Sequence, residues 1–516
     1  MGVSRSKRTL QNISTGFLYQ IMNMILSFFS RTVFIRTLGN EYLGLNGIFG
    51  DVLTLLSLAD LGFSTAMAYS FYKPLADRDE EKIASLVAFY NKVYNIIAAA
   101  VAILGLCCIP FLRLIVNTEK NIPNLEIYYL FSLAGVVTSY LFVYKTTLLT
   151  ADQKDYMVVN IRMISIFIKV VLQMLSLIIF KNYILYLGIG TAIGITNNLI
   201  TSKKAEKEYP FIKHVKADKE VDGVLKSRII ENMKSVFIYK ISTTVFSATD
   251  NIIISIVVST AAVGLYSNYL MLSQKLLLIE QIVFSAMTAS IGNVIAKENY
   301  EKKYSVFQTI QSISFILCGI IVVSYSLLAD DFVRVWLGED YQLPQILVIA
   351  VTLNTFFSCI LQPLWLYRDA TGLYQKTKYI MLLATIENIV LSVILGRILG
   401  IAGVIFASAI ARLTTYCWYE PKLLYREYFN QSAIKYYKQI FANIFLTIAA
   451  IFFGKLICDN FKPNNWTMLI IKAILIGAIN IIIYIAAYYR TDGAQNLIKK
   501  AKTYIWKWQK KQIENE

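Results

Sequence analysis

Residues 252–258 of this 516-residue chain, Ile252-Ile253-Ile254-Ser255-Ile256-Val257-Val258, form a run that is apolar on every side. A membrane β-strand alternates apolar and polar residues with a period of two, so this run argues against a β-barrel. Segments of about 20 mostly apolar residues, the length at which a helix crosses a bilayer, recur on both sides of the run. The sequence therefore predicts an all-α integral membrane protein.

The composition supports the same class. Hydrophobic residues make up 56% of the chain and charged residues only 16%, whereas soluble domains carry about 25% charged residues. The net charge is +17, from 50 Lys and Arg against 33 Asp and Glu. In a soluble protein that excess would suggest nucleic-acid binding. Here the basic residues lie between apolar segments, so they indicate orientation in an anionic membrane, and no nucleic-acid partner is predicted.

The apolar segments predict about fourteen transmembrane helices. Their expected ranges are 14–37, 43–70, 84–110, 125–148, 157–180, 183–201, 231–258, 262–292, 305–329, 344–367, 377–398, 401–424, 437–457 and 467–489. The apolar run near the N-terminus is too long for a signal peptide and has no small-residue cleavage site, so we interpret it as the first span, which is retained.

Basic residues alternate between the two sides of this predicted bundle. With the N-terminus inside, the external breaks hold only Arg36, Arg113, Lys120, Lys181, Arg334, Arg397, Lys455 and Lys462, and the remaining breaks hold most of the Lys and Arg. Cytoplasmic loops carry such an excess. Both termini are therefore predicted to be cytoplasmic.

Metal and thiol chemistry is not expected. The six cysteines form no CxxC pair, and the single histidine, His214, lies in a Lys-rich loop. A zinc site needs several Cys or His ligands brought together, and no Cys/His nucleophile can be assembled from this set. We predict neither a metal nor a catalytic site.

The two halves of the chain are similar in sequence. A shift of 220 residues places Gly44-Leu45 on Gly264-Leu265, Ala66-Met67 on Ala286-Met287, and Glu81-Lys82 on Glu301-Lys302, without a gap. This repeat predicts two pseudo-symmetric six-helix lobes plus two C-terminal helices. The expected divisions are an N-lobe (1–201), a cytoplasmic linker (202–229), a C-lobe (230–425), spans 13 and 14 (426–489) and a basic cytoplasmic tail (490–516). Parallel repeats of this kind occur in transporters, although two helical bundles fused for stability are an alternative.

Ionisable residues at membrane depth are costly and usually face a bundle interior or a wet cavity. On the first span, Gln20, Asn23, Ser27, Ser30 and Arg31 share one helical face. On the seventh, Lys240, Thr243, Ser247 and Asp250 also share one face.

The charged residues at membrane depth have two possible roles. Either the charges pair between helices and hold the bundle together, or the cations line a cleft for an anionic substrate. We expect both. The predicted substrate-binding residues are Arg31, Arg36, Lys240, Lys275 and Arg412, and the predicted ion-coupling or gating residues are Asp60, Asp250, Glu280 and Glu387. Arg36 can alternatively snorkel to the interface.

Several of these segments resemble the polysaccharide flippase (Wzx-like, PST) family of the multidrug/oligosaccharidyl-lipid/polysaccharide (MOP) superfamily. The resemblance rests on Arg31 and Arg36 with the following Leu38-Gly39-Asn40-Glu41-Tyr42-Leu43-Gly44-Leu45, on Ala59-Asp60-Leu61-Gly62, and on Thr249-Asp250-Asn251-Ile252-Ile253-Ile254 with Val263-Gly264-Leu265-Tyr266. It covers essentially the whole chain in short, scattered patterns.

The resemblance implies a MOP/MATE-like fold and a multi-pass protein of a bacterial or archaeal cytoplasmic membrane. Members of this family move undecaprenyl-diphosphate-linked oligosaccharides from the inner to the outer leaflet by alternating access, for capsule, O-antigen or exopolysaccharide synthesis. The implied partners are the polyprenyl-diphosphate-linked oligosaccharide, membrane lipid, and the polymerase and glycosyltransferases of the same pathway. No cofactor is implied, and the acidic residues are compatible with H⁺ or Na⁺ coupling.

Four alternatives remain open. A peptidoglycan-precursor flippase would use the same mechanism on a different lipid-linked head group. A multidrug/cation antiporter of the superfamily would be expected to have an acid-lined cavity and twelve helices. A membrane polymerase or glycosyltransferase would need a sizeable external loop, but the largest external candidate, residues 330–343, is short and is interpreted as a solvated acidic loop. A scaffold for a glycan-assembly complex is the fourth.

Overall fold

The computed structural model describes residues 5–57, 63–119, 122–213, 237–285, 287–458 and 460–499. Within these ranges all regular secondary structure is helical, which confirms the predicted all-α class. The chain divides into two compact units, Met1–Gly264 and Leu265–Glu516. The lobe boundaries expected from the repeat stay a prediction.

The first unit contains eleven complete α-helices among its described residues. They are α1 (Arg5–Leu38), α2 (Asn40–Leu56), α3 (Phe63–Asp77), α4 (Glu80–Cys108), α5 (Leu112–Ile115), α6 (Leu125–Tyr140), α7 (Val143–Ala151), α8 (Asp155–Phe180), α9 (Tyr183–Glu208), α10 (residues 237–248) and α11 (Asp250–Val257).

The helix α12 (Thr260–Ser285) begins in the first unit and continues in the second. The second unit then contains α13 (Thr288–Lys297), α14 (Tyr300–Leu337), α15 (Gln345–Thr371), α16 (Tyr374–Leu399), α17 (Ile401–Thr414), α18 (Tyr416–Leu424), α19 (Ile434–Cys458) and α20 (Trp466–Tyr488).

Ten helices of the described residues are long and apolar enough to cross a membrane, and two bent helix pairs raise the number to twelve. Each of these twelve corresponds to one predicted span. The two remaining predicted spans, 43–70 and 231–258, include residues outside the described ranges. The chain is a multi-pass membrane protein.

The two bent pairs are α6 with α7, and α12 with the Ser290–Lys297 part of α13. The first pair bends by 49° and the second by 46°. Just before the first bend, Thr138 and Ser139 donate side-chain hydrogen bonds to the carbonyls of Ala134 and Val136, at 2.7 Å each. Hydroxyl groups that bond to the preceding turn in this way often bend helices. Hydropathy gave no sign of either bend.

The predicted continuous span 231–258 is broken within its described part. α10 ends at residue 248, and α11 begins at Asp250 after Thr249, which lies outside both helices. Ser242, Thr243 and Ser247 in α10 all donate to carbonyls three or four residues earlier, at 2.8–2.9 Å. These bonds weaken the backbone ladder before the break. The stripe expected from Lys240 to Asp250 therefore does not lie on one uninterrupted helix.

The interpretation of residues 330–343 as a solvated loop is wrong for its first half. α14 extends to Leu337, so Asp330, Asp331 and Arg334 are helical. They remain in the helix because their charges are satisfied: Tyr269 donates to Asp330 at 2.7 Å, and Asp331 pairs with Arg334. Asp331 also pairs with Lys472 of α20, at 2.7 Å. At 38 residues, α14 is about 57 Å long and exceeds the roughly 30 Å hydrocarbon core.

Two glycines that the sequence repeat aligns lie at one contact in the first unit. A Cβ on Gly44 of α2 would collide with the backbone carbonyl of Thr260, and a Cβ on Gly264 would collide with the backbone carbonyl of Asn40. Asn40 and Thr260 are themselves related by the 220-residue shift. The first turns of α2 and α12 therefore pack backbone to backbone in a pseudo-symmetric way, which only residues without a side chain allow.

The second unit is built around α14 and α15, which contribute many of its buried residues. Gly319 of α14 lies against the ring of Tyr484 of α20. Tyr484 forms a hydrogen bond with Thr447 of α19, at 2.7 Å between hydroxyls, and belongs to a core cluster with Val323 and Ala450. These contacts attach the last two helices to α14.

Candidate functional site

The polar face predicted on α1 is present. The helix α1 exposes the apolar side chains of Ile13, Phe17, Ile25 and Phe29, whereas Arg31 on its polar face is partly buried. The hydroxyl of Tyr186, in the first turn of α9, interacts electrostatically with the Arg31 guanidinium. Arg36, in contrast, is exposed in the last turn of α1. The structure thus separates the two arginines that the sequence analysis grouped together.

An aromatic cluster supports the position of Arg31. The ring of Tyr186 lies 5.0 Å from that of Phe34 and 6.0 Å from that of Tyr183. Tyr183 contacts Tyr42 and Tyr128 at 5.0 and 4.8 Å, and it donates to Asn46 Oδ1 at 2.7 Å. The Tyr183–Tyr186 pair is stacked and the other three are edge-to-face. Aromatic pairs of these two kinds add about 0.5–1.5 kcal/mol each beyond burial. The cluster joins α1, α2, α6 and α9, and helical spacing along one segment does not predict contacts between these four helices.

The remaining predicted residues of the first unit lie on α10 and α11. Lys240 and Asp250 are partly buried, and Asp60 is outside the described residues. Beside Asp250, Asn251 hydrogen-bonds to the Asp51 carboxylate of α2. The Asn251 side chain also lies 3.6 Å from the position of a Cβ on Gly47. The quoted Thr249-Asp250-Asn251 pattern therefore has at least one packing role, through Asn251.

In the second unit, Lys275 and Glu280 lie on α12. Lys275 is partly buried and Glu280 is fully buried. One carboxylate oxygen of Glu280 lies 3.1 Å from Ser314 Oγ of α14. Its other oxygen is buried and has no hydrogen-bond partner among the residues the structure describes. Ser314 Oγ also lies 2.9 Å from the carbonyl oxygen of Cys359 in α15. Glu280 thus occupies a small polar site between three helices.

Arg412 and Glu387 take part in contacts between α15, α16 and α17. Arg412 donates to the Asn354 carbonyl at 3.2 Å and to Ser358 Oγ at 2.7 Å. Thr414 donates to Glu387 Oε1 at 2.7 Å. These bonds resemble the polar contacts that hold membrane helices together. The structure therefore gives both residues an observed packing contact, and a substrate or coupling role for them stays a prediction.

A group of ion pairs surrounds the start of α8 in the first unit. Arg8 and Lys154 pair with Asp152, at 3.5 and 3.0 Å. Tyr209, just beyond α9, donates to the same carboxylate at 2.6 Å. Burial, together with the Asp152 charge, raises the pKa of the Tyr209 phenol, so it remains a protonated donor. This network fixes α1, the α7–α8 turn and the end of α9 against one another.

A cavity of about 450 Å³ lies between α14, α19 and α20 of the second unit. Gln308, Gln311 and Ser312 give it a polar side, and Phe315 and Leu446 give it an apolar one. Gln311 is buried, and its side-chain nitrogen has no hydrogen-bond partner among the described residues. The cavity can accept an amphipathic group, and the sequence analysis did not predict it.

Comparisons with known proteins agree with the architecture. Residues 211–343 match a family model described as "Polysaccharide biosynthesis protein", and no curated protein sequence matches the chain. The lipid II flippase MurJ in an inward closed conformation has a similar structure, with a TM-score of 0.66 at 16% identity, covering 92% of this chain and 99% of that one. An inward-facing MATE family transporter of the MOP superfamily aligns with a TM-score of 0.57 at 15% identity, over 80% of this chain and 92% of that one. A MATE transporter of Vibrio cholerae aligns with a TM-score of 0.57 at 13% identity, over 83% and 99%.

The structural similarities concern the fold. The fold is similar to the folds of a lipid II flippase and of a MATE transporter of the MOP superfamily, as the resemblance found in the sequence implied. The match of residues 211–343 to a polysaccharide biosynthesis protein family agrees with the resemblance found in the sequence.

Proposed function

We propose that this protein is a flippase that moves a polyprenyl-diphosphate-linked oligosaccharide from the inner to the outer leaflet of a bacterial or archaeal cytoplasmic membrane, by alternating access. The product would feed capsule, O-antigen or exopolysaccharide synthesis. The observation that carries the proposal is the extent of the structural match. Similarity to the lipid II flippase covers 92% of the chain, whereas the MATE alignments cover 80% and 83%. The polysaccharide-biosynthesis match supports the saccharide part of the substrate.

The chemistry of such a substrate explains why a protein is needed. A diphosphate and a hydrated sugar cannot enter about 30 Å of hydrocarbon without losing their hydration. Partly buried cations and hydroxyls can replace that hydration, while the polyprenyl tail stays in lipid. Arginine suits the phosphates because its planar guanidinium binds two oxygens at once.

Among the predicted cations we assign the diphosphate contact first to Arg31. It lies on the polar face of α1, is partly buried, and is held beside the Tyr186 hydroxyl by the aromatic cluster. Lys240 and Lys275, also partly buried, are assigned as further point charges for the substrate. Arg36 would attract the head group at the surface, and Arg412 would hold α17 in place.

The test is a leaflet-resolved flipping assay in vesicles that contain the purified full-length protein and a defined polyprenyl-diphosphate oligosaccharide. We expect Arg31→Ala to lower the initial rate about tenfold or more, because a charge-assisted hydrogen bond is lost, and Arg31→Lys to restore part of it. The matched control is Arg113→Ala, because Arg113 is 80% exposed and pairs with Glu126. Wild-type flipping by Arg31→Ala would remove Arg31 from the site.

The structural similarity to the lipid II flippase favours a second candidate, a peptidoglycan-precursor flippase. The same vesicles loaded with a disaccharide-peptide lipid distinguish the two candidates by their rates, and export of an organic cation would instead indicate a multidrug antiporter. Imposed proton and sodium gradients test the coupling role proposed for Asp60, Asp250, Glu280 and Glu387. Flipping rates that do not change with either gradient would exclude that role.

A further inference from the structure

A groove lies between the beginning of α8 and the end of α9. Its lining contains the apolar side chains of Met157 and Ile161 of α8 and Ile200 of α9. The polar lining residues are Asn160, Lys203, Lys204 and Lys207. Its volume is about 480 Å³. The three lysines occupy the last turns of α9, so cationic groups and apolar groups line the same depression.

The acidic residues nearby are already paired. Glu206 forms an ion pair with Lys145 at 2.6 Å. Glu208 pairs with Lys154 at 3.1 Å and with Lys204 at 3.4 Å. Lys203 and Lys207 are exposed, and no ion pair engages them in the part of the chain that the structure describes. Because they are four residues apart, they lie on one face of α9, and their two charges can act on one anion.

The groove lies at the depth of a lipid head group. α8 and α9 contain 26 residues each, which makes each helix about 39 Å long, longer than the roughly 30 Å hydrocarbon core. The lysines are at the end of α9, and Ile200 is one turn deeper. On α8 the exposed side chains of Ile164, Phe167 and Ile168 continue the apolar surface below Ile161. An acyl chain can follow this surface from the groove into the membrane.

We propose that this groove binds an anionic glycerophospholipid, with its phosphate against Lys203 and Lys207 and its acyl chains on Ile161, Ile200 and the exposed face of α8. A free phosphate ion would use only the lysines and leave the apolar lining residues uncovered. A zwitterionic lipid brings its own cation next to the two lysines, which weakens its attraction to them. The site does not depend on the proposed flippase activity, because it requires only a membrane that contains anionic lipid.

The experiment is native mass spectrometry of the purified full-length protein with dioleoyl phosphatidylglycerol or dioleoyl phosphatidylcholine. We expect the wild type to retain phosphatidylglycerol preferentially. The double variant Lys203→Gln, Lys207→Gln should lose that preference by roughly tenfold, because each lysine contributes a favourable interaction with anionic lipid. The matched control is Lys297→Gln, Lys302→Gln, which removes two exposed lysines at another helix junction and should leave the preference unchanged.

Three results would overturn the proposal. The first is an undiminished preference for phosphatidylglycerol in the double variant while thermal unfolding stays that of the wild type. The second is displacement of phosphatidylglycerol by millimolar inorganic phosphate, which would define a simple anion site. The third is displacement by an equal concentration of undecaprenyl diphosphate, which would assign the groove to the polyprenyl lipid.

Discussion

Arg368 and Glu420 form an ion pair whose side chains are only 11% and 5% exposed, with 3.1 Å between Arg368 Nη1 and Glu420 Oε1. The pair joins α15 to α18. A buried charge is tolerated because its partner and its hydrogen bonds replace the lost hydration, so removal of one member leaves the other uncompensated. The Lys435–Asp492 pair of the same unit is different, since its side chains are 53% and 69% exposed.

We therefore predict that Arg368→Gln lowers the free energy of unfolding by about 3 kcal/mol or more. Lys435→Gln should lower it by no more than about 1 kcal/mol, because water screens an exposed pair. Thermal unfolding of both variants in the same detergent measures the difference. Equal shifts for the two variants would mean that burial does not set the strength of these pairs.

The sequence predicted where polar side chains would occur at membrane depth but not what they would contact. Arg412 was predicted to bind substrate because of its charge alone. In the structure it donates hydrogen bonds to Asn354 and Ser358, which lie on another helix more than 50 residues earlier in the chain. Glu387 likewise receives its hydrogen bond from Thr414. Helical spacing relates residues on one helix only, so contacts between helices could not be derived from it.

The contact between α2 and α12 makes a prediction about helix packing. Gly44→Ala should lower the free energy of unfolding by about 1–3 kcal/mol, because the new Cβ overlaps the Thr260 carbonyl and the helices must move apart. Gly264→Ala should act similarly at the Asn40 carbonyl.

Gly16→Ala is the control for these substitutions. A Cβ at Gly16, inside α1, meets nothing within 4 Å, so this change should stabilise the protein by about 0.5–1 kcal/mol through helix propensity. Melting temperatures of the three variants provide the measurement. A destabilised Gly16→Ala, or an unchanged Gly44→Ala, would contradict the packing that the structure shows.

The presence of the helices was predictable because the length of each apolar segment can be measured in the sequence. Their bends and breaks were not predictable from it. The bend between α6 and α7 and the break at Thr249 depend on side-chain hydroxyls that bond to the backbone, which hydropathy does not register. The same limit explains residues 330–337. Their charges suggested a loop, but pairing with Tyr269 and Lys472 keeps them helical.

The orientation of the whole chain in the membrane follows from the distribution of basic residues and can be measured directly. In a Cys107→Ser background, which removes an exposed thiol, we expect Arg113→Cys to react with an impermeant maleimide in intact cells. Lys297→Cys should react only after permeabilisation, because the loop that contains it is predicted to be cytoplasmic. The reverse pattern would invert the predicted topology, and it would also place the α8–α9 groove in the outer leaflet.

The 220-residue shift that predicts the sequence repeat also relates the two backbone contacts, of Gly44 with Thr260 and of Gly264 with Asn40. Since the nearest opposing atoms are carbonyl oxygens of the main chain, no exchange of the Asn40 or Thr260 side chain can make room for a bulkier neighbour. In a genetic selection, second-site suppressors of Gly44→Ala should therefore be absent from both positions. Each glycine is then required independently of its counterpart, because each one faces a main-chain atom that no side-chain substitution removes.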